Sequence, residues 1–171
     1  YGSTWDTISG TFNGSGKIDV IALSQSNPNV IYLSETEEIY KTIDGGEDWI
    51  NIGANLPNNA VTDIVIHPSN QNRIWVTFSG YSNGNKVFYS SDGGLNWTNI
   101  SYNLPNLPAN CILFYTPNET LFAGTDIGVF YKDSSMTNWE HFNQGLPNVI
   151  ITELEYHINS NSLFAGTYGR G

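Results

Sequence analysis

The chain has 171 residues, enough for one domain with a sizeable core or for part of a larger array. Sixteen acidic side chains stand against six basic ones, a net charge of -10, which argues against nucleic acid or an anionic membrane as a partner. No run approaches the roughly 18 apolar residues of a membrane helix, so no membrane insertion is expected. The lone Cys111 excludes an intrachain disulfide framework and reads as a small buried apolar residue on a strand. An opening at Tyr1 without Met reads as a processed or excised piece.

Taken in order, the chain repeats. Trp5, Trp49, Trp97 and Trp139 are separated by 44, 48 and 42 residues, and the pairs Leu56-Pro57, Leu104-Pro105 and Leu146-Pro147 follow at 48 and then 42. Periods of about 40 to 50 residues built from short strands are the signature of propeller blades. Gly2-Ser3-Thr4-Trp5 reads as the tail of a blade, within residues 1–14. In the first whole repeat, 15–58, Ile18 to Leu23 is the innermost strand, Val30 to Ser34 the second and Ile39 to Thr42 the third, and Trp49 opens the fourth.

The second whole repeat, 59–107, carries an insertion, Ser79 to Asn85, between its second and third strands. The third, 108–148, keeps Leu121 to Thr125 as strand two. A further repeat begins at 149–171 and restates Leu-Phe-Ala-Gly-Thr at Leu163 to Thr167. No segment shows an apolar period of 3.6, and Gly, Asn, Ser and Pro punctuate the sequence throughout, so the predicted class is all-β. The chain therefore reads as a partial β-propeller, about four four-stranded blades of a larger one, with the remaining blades of the same propeller as partners.

Between strands three and four, Thr42-Ile43-Asp44-Gly45-Gly46-Glu47-Asp48-Trp49 recurs as Ser90-Ser91-Asp92-Gly93-Gly94-Leu95-Asn96-Trp97, both hydroxyl-x-Asp-x-Gly-x-x-Trp. An Asp carboxylate can accept from backbone N–H groups two residues on, Gly supplies positive φ, and Trp buries a flat surface while keeping an N–H donor. The set Thr42, Asp44, Gly46, Trp49 and Ser90, Asp92, Gly94, Trp97 thus predicts a self-capped hairpin turn. In the third repeat, Asp133 to Trp139 lacks the glycine and is one residue longer.

These two stretches resemble the Asp-box (BNR) repeats of sialidases, xyloglucanase-type glycoside hydrolases, sortilin-type receptor domains and propeller-type photosystem II assembly factors. The resemblance implies a propeller of six to ten blades in which the box is a structural turn remote from the ligand face. The closing Gly166-Thr167-Tyr168-Gly169-Arg170-Gly171 is similar to the last blade of exported Bacteroidetes-type multidomain proteins that carry a C-terminal sorting domain, the substrates of type IX secretion. That likeness implies a secreted or cell-surface protein.

In such a propeller the ligand face is formed by the loops from strand two to three and from strand four to the next strand one. It would present Glu35, Glu37, Glu38, Tyr81, Asp126, Tyr168 and Arg170. Binding residues concentrate on loops held by rigid scaffolds, which favours the insertion around Tyr81, with Tyr168 and Arg170 as further ligand-binding candidates. Trp75, within an apolar strand, reads as core between blades. Asp63 and Asp126 are the candidate catalytic pair by position, since a glycosidase needs two carboxylates about 5 to 9.5 Å apart across a glycosidic bond. The plainer reading is that Asp63 starts a strand and Asp126 caps a turn.

A sialidase is disfavoured, because its resemblance requires three clustered arginines and the sequence has only Arg73 and Arg170. His67, His141 and His157 fall in different repeats, so no metal and no cofactor are expected. The function expected is a non-catalytic scaffold, or a module binding a polysaccharide or protein ligand. The alternatives are a fragment of a xyloglucanase-like glycoside hydrolase and a sortilin-like receptor domain.

Overall fold

A computed structural model describes residues 12, 14, 16–142 and 145–169, so the expectations placed on Trp5 and Arg170 lie outside the described residues. Four antiparallel sheets follow one another in sequence. The first joins β1 (Ile18–Leu23), β2 (Ile31–Glu35), β3 (Glu38–Thr42) and β4 (Ile50–Asn51) in that order. The second joins β5 (Val61–His67), β6 (Asn70–Phe78), β7 (Val87–Ser90) and β8 (Thr98–Asn99). The third joins β9 (Ala109–Tyr115), β10 (Thr120–Thr125), β11 (Gly128–Lys132) and β12 (Glu140–Phe142). The fourth pairs β13 (Ile151–His157) with β14 (Ser162–Thr167).

Within each sheet consecutive strands are neighbours, which short polar turns permit and which makes each sheet a meander. The innermost strands β1, β5, β9 and β13 then touch one another in sequence order, so the sheets stack face to face as blades of a partial propeller. Helix among the described residues is confined to two single 3-10 turns, Thr116–Asn118 and Ile158–Ser160. They join strands one and two of the third and fourth blades and are closed by Glu119 at φ 52° and Asn161 at φ 50°.

Stacking explains the burial. A strand covered on one face alternates, whereas a strand between two neighbouring sheets is buried on both. In β6, which lies between the first and third sheets, the five residues Ile74 to Phe78 are all buried. The core is accordingly three layers between blades. Tyr32, Ile39 and Ile52 meet Ile64, Val76 and Phe78 in the first joint. Trp75, Val87 and Ile100 meet Ile112, Ala123 and Trp139 in the second, and Cys111 and Val129 meet Ile151 and Leu154 in the third. Full burial of each large apolar residue contributes about 1.5–3 kcal/mol. Ile21 and Leu23 on β1 and Phe164 on β14 are exposed, one set on each terminal blade.

Candidate functional site

The two aspartate turns cap themselves. Thr42 Oγ1 donates to Asp44 Oδ1 at 2.6 Å and accepts from the Gly46 N–H at 3.0 Å, while Asp44 Oδ1 accepts from the N–H groups of Glu47 and Asp48 at 3.0 Å. The second turn repeats this: Ser90 Oγ donates to Asp92 at 2.8 Å and accepts from Gly94 N–H at 2.8 Å, and Asp92 accepts from Asn96 N–H at 2.9 Å. Gly46 and Gly94 stand at φ 104° and 93°, a region costly for other residues. These carboxylates are spent on local donors, which depress both pKa values, Asp44 chiefly through the Thr42 hydroxyl and Asp92 to about 2 chiefly through the Asn96 side chain.

At the other end of the blades, where β2 runs into β3 and β6 into β7, lies the expected ligand face. Each innermost strand there skips one residue in its pairing: Asp19, Thr62, Asn110 and Thr152. Such bulges re-aim a side chain. Thr62 Oγ1 donates to the Ala109 carbonyl at 2.5 Å, and Asn110 Nδ2 donates to the Ile151 carbonyl at 3.1 Å, so a bulged residue of one blade reaches the first inner-strand residue of the next. Asp19 is an acceptor and cannot do this. It takes the Thr36 N–H at 3.1 Å instead, and the Val61 N–H donates to the Thr36 carbonyl at 2.9 Å.

Asp63 follows the bulge. Its Oδ1 accepts from its neighbour Ile64 N–H at 2.8 Å and its Oδ2 from Ile112 N–H, on the next blade, at 2.9 Å. Burial pushes its carboxyl up, the two N–H groups pull it down, and the charge of Glu153 adds to the rise. Asp126 Oδ1 accepts from Asn110 Nδ2 at 3.0 Å. Both carboxylates thus converge on β9, on positions two residues apart, through bonds that tie strands and blades together. Glu153, which is not among the residues expected from the sequence, occupies the register position equivalent to Asp63, as does Cys111 between them. Burial raises the Cys111 thiol to about 12, with the charges of Asp63 and Glu153 adding to it, so the thiol is an inert packing group.

The insertion is held at several points. Ser79 N–H donates to Ala60 O at 2.9 Å, the buried Lys86 donates its ammonium to Gly80 O at 2.6 Å, and Asn99 Nδ2 donates to Gly84 O. Tyr81 stands out from this frame at 65% exposure, and Tyr168, just past β14, at 75%. Glu37 and Glu38 border a depression of about 380 Å³ whose other wall is the β4–β5 connection, Gly53 to Asn58. Trp75 is buried and stacks on Phe114 of the next blade, centroids 4.7 Å apart. His67 also lies against Phe114, while His141 meets the Ile127 carbonyl and His157 meets Ser160. Among the described residues, no group of three His, Cys, Asp or Glu side chains is placed to hold a metal ion, and no helix is long and apolar enough to cross a membrane.

Known proteins with this architecture share little sequence with the chain. A GH74 enzyme of Niastella koreensis superposes with a TM-score of 0.70 at 15% identity, covering 88% of this chain and 26% of that one. An auxiliary nutrient binding protein of Bacteroides thetaiotaomicron gives 0.70 at 15% identity, with 90% and 36% covered. The extracellular domain of a putative one component system of B. thetaiotaomicron gives 0.67 at 19% identity, with 88% and 20% covered. The chain thus spans between a fifth and about a third of the length of these structures, and the likeness establishes the propeller fold. No curated protein matches it. A family model described as "Sortilin, neurotensin receptor 3" matches residues 1–142, most of the 171, and on that match the chain belongs to the Sortilin-Vps10 family.

Proposed function

We propose that the chain is a non-catalytic propeller segment of an exported or cell-surface protein, presenting a binding face for a polysaccharide or protein ligand. Its units are the blades 15–58, 59–107 and 108–148, with 1–14 and 149–171 as parts of flanking blades. The aspartate turns serve as Asp boxes, structural caps on the face away from the ligand. The observation that carries the reading is the braced insertion. Three anchors fix a loop whose tip, Tyr81, is exposed, the arrangement expected of an aromatic contact whose ordering cost is met before binding. Tyr168 occupies the equivalent connection of the fourth blade, and Arg170 follows it.

The extracellular and nutrient-binding relatives in fold support an exported location and a binding role. Membership of the Sortilin-Vps10 family favours a receptor-like binding role as the second reading. The likeness to a GH74 enzyme keeps a xyloglucanase-like hydrolase as the third. Against catalysis, Asp63 spends both oxygens on backbone donors and Asp126 is engaged by Asn110, whereas an acid–base pair needs oxygens turned to substrate. The test is binding of the protein to a panel of plant and bacterial polysaccharides and to surface-protein extracts. Tyr81→Ala should weaken a detected interaction by about tenfold, as aromatic anchors do. Turnover of xyloglucan that disappears in Asp63→Ala or Asp126→Ala would overturn the reading.

A further inference from the structure

We propose that Asn83 is a site of spontaneous deamidation, at the tip of the loop between β6 and β7. The inference depends on local chemistry and not on what the loop binds. Among the described residues Asn83 is the asparagine followed by glycine, and it is exposed at the corner of a turn. Gly84 stands at φ 73°, and a β-carbon built on it would meet nothing within 4 Å. Gly84 itself carries no β-carbon to crowd its nitrogen, and the turn has open space on that side in which to rearrange.

The reaction needs only base and water. The Gly84 backbone nitrogen loses its proton and attacks Asn83 Cγ, forming an N–C bond. The bond from Cγ to the amide nitrogen Nδ2 breaks, and ammonia leaves with the proton it requires. The five-membered imide that results is opened by one water at either carbonyl. Opening at one restores an ordinary backbone with an aspartate at position 83. Opening at the other leaves an isoaspartate, whose backbone runs through Cβ and Cγ and is one atom longer.

The surroundings direct the consequence. Asn99 Nδ2 holds the Gly84 carbonyl, and Lys86 holds the Gly80 carbonyl across the loop. An extra backbone atom between positions 83 and 84 is therefore taken up at the tip, Tyr81 to Asn83, and not at the strand ends. Either product also adds a negative charge to a protein already at -10. Asn13 also precedes a glycine and lies outside the described residues, whereas every other asparagine precedes a residue that carries a β-carbon. Asn55 and Asn161 hold left-handed conformations before Leu56 and Ser162, whose β-carbons crowd the attacking nitrogen.

The experiment is incubation of the folded protein at neutral and mildly alkaline pH, followed by peptide mapping and enzymatic methylation of isoaspartate. The expected result is accumulation of both acid products at position 83, with isoaspartate in excess, faster at higher pH. The signal in the peptide that holds position 83 should be lost in Asn83→Gln, where the longer side chain would have to close a six-membered ring. A free peptide spanning Ser79 to Val87 serves as reference. The proposal is overturned if position 83 keeps its amide in the folded protein, whether or not the peptide loses it. It is equally overturned if any asparagine that precedes a residue other than glycine deamidates as fast, Asn13 before Gly14 being counted separately in the peptide map.

Discussion

The second and third blades close their turns in opposite ways and dock on their neighbours in the same way. In the second, Ser90 accepts the Gly94 N–H and Asp92 gathers Asn96. In the third, Lys132 occupies the register position of Thr42 and Ser90. Its ammonium donates to the carbonyls of Met136 and Thr137, so a position that both donates and accepts in one turn only donates in the other. Asp133 still accepts, from Ser135 at 2.8 Å and Met136 at 3.2 Å. Yet Trp97 Nε1 donates to the Ile52 carbonyl at 2.8 Å and Trp139 Nε1 to the Ile100 carbonyl at 2.8 Å, equivalent positions on the preceding blades. The tryptophan pin is what these two joints share. The turn needs only to close and satisfy its own backbone.

Removing the pin should therefore cost most. Trp139 is 2% exposed and its indole N–H has a buried partner. Trp139→Ala should lower the folding stability by about 3–5 kcal/mol, read from the urea midpoint. Trp97, half-buried, should cost less on the same substitution. Equal losses would mean that the pin counts for its hydrogen bond and not for its area.

The glycine of the intact turn comes next, because the degenerate turn does without it. At Gly94 a β-carbon would lie 2.5 Å from Ile52 Cδ1, and φ is 93°. Gly94→Ala should cost about 1–3 kcal/mol. Ile52→Val removes the clashing Cδ1, so the double variant should lose less than the sum of the two singles. An additive pair would show that backbone strain alone, and not the approach of the neighbouring blade, demands glycine there.

Much of this was legible in the sequence. The tryptophan period, the paired turns and the strands came from spacing and composition, with strand limits within about a residue for β1 to β3. The part that stayed hidden depends on register. A bulge at Thr62 or Asn110 has no local signature, because it is set by pairing with β6 and β10. The link from Asp63 to Ile112 joins residues 49 apart, and the equivalence of Lys132 with Ser90 emerges only once β10 and β11 are aligned. Lys41 and Lys86 are buried, which charge counting would not suggest. Each found a carbonyl, Gly93 and Gly80, that only the fold brings near.

Acid should separate the two turns further. The Asp92 carboxyl is held at about 2 against an ordinary 3.8, by the Asn96 side chain first and then by its N–H. A depressed carboxylate favours the folded state at pH above about 4, and that contribution is lost as pH falls from about 4 to about 2. Asp92→Asn should flatten the stability profile across that window. Asp133 is shifted in the same direction, its first cause the Ser135 hydroxyl, and Asp133→Asn should flatten the profile less. Urea midpoints at several pH values decide it. A steeper dependence on Asp133 would place the main electrostatic cap in the degenerate turn.

The smallest effect concerns a contact of the second joint. Arg73 forms a two-pronged pair with Glu119 of the next blade, at 2.9 and 3.2 Å, and its guanidinium lies 5.5 Å from the Trp75 ring centroid. Both side chains are partly exposed, which holds the pair to about 1 kcal/mol or less and makes it sensitive to salt. Glu119→Gln should therefore cost little, and its cost should vanish at high salt. Arg73→Ala should cost more and keep most of that cost in salt, because it also uncovers Trp75 and Phe114. If both variants lose the same amount and both losses disappear in salt, the arginine acts through its charge alone. The stacked rings would then hold the second joint without its cover.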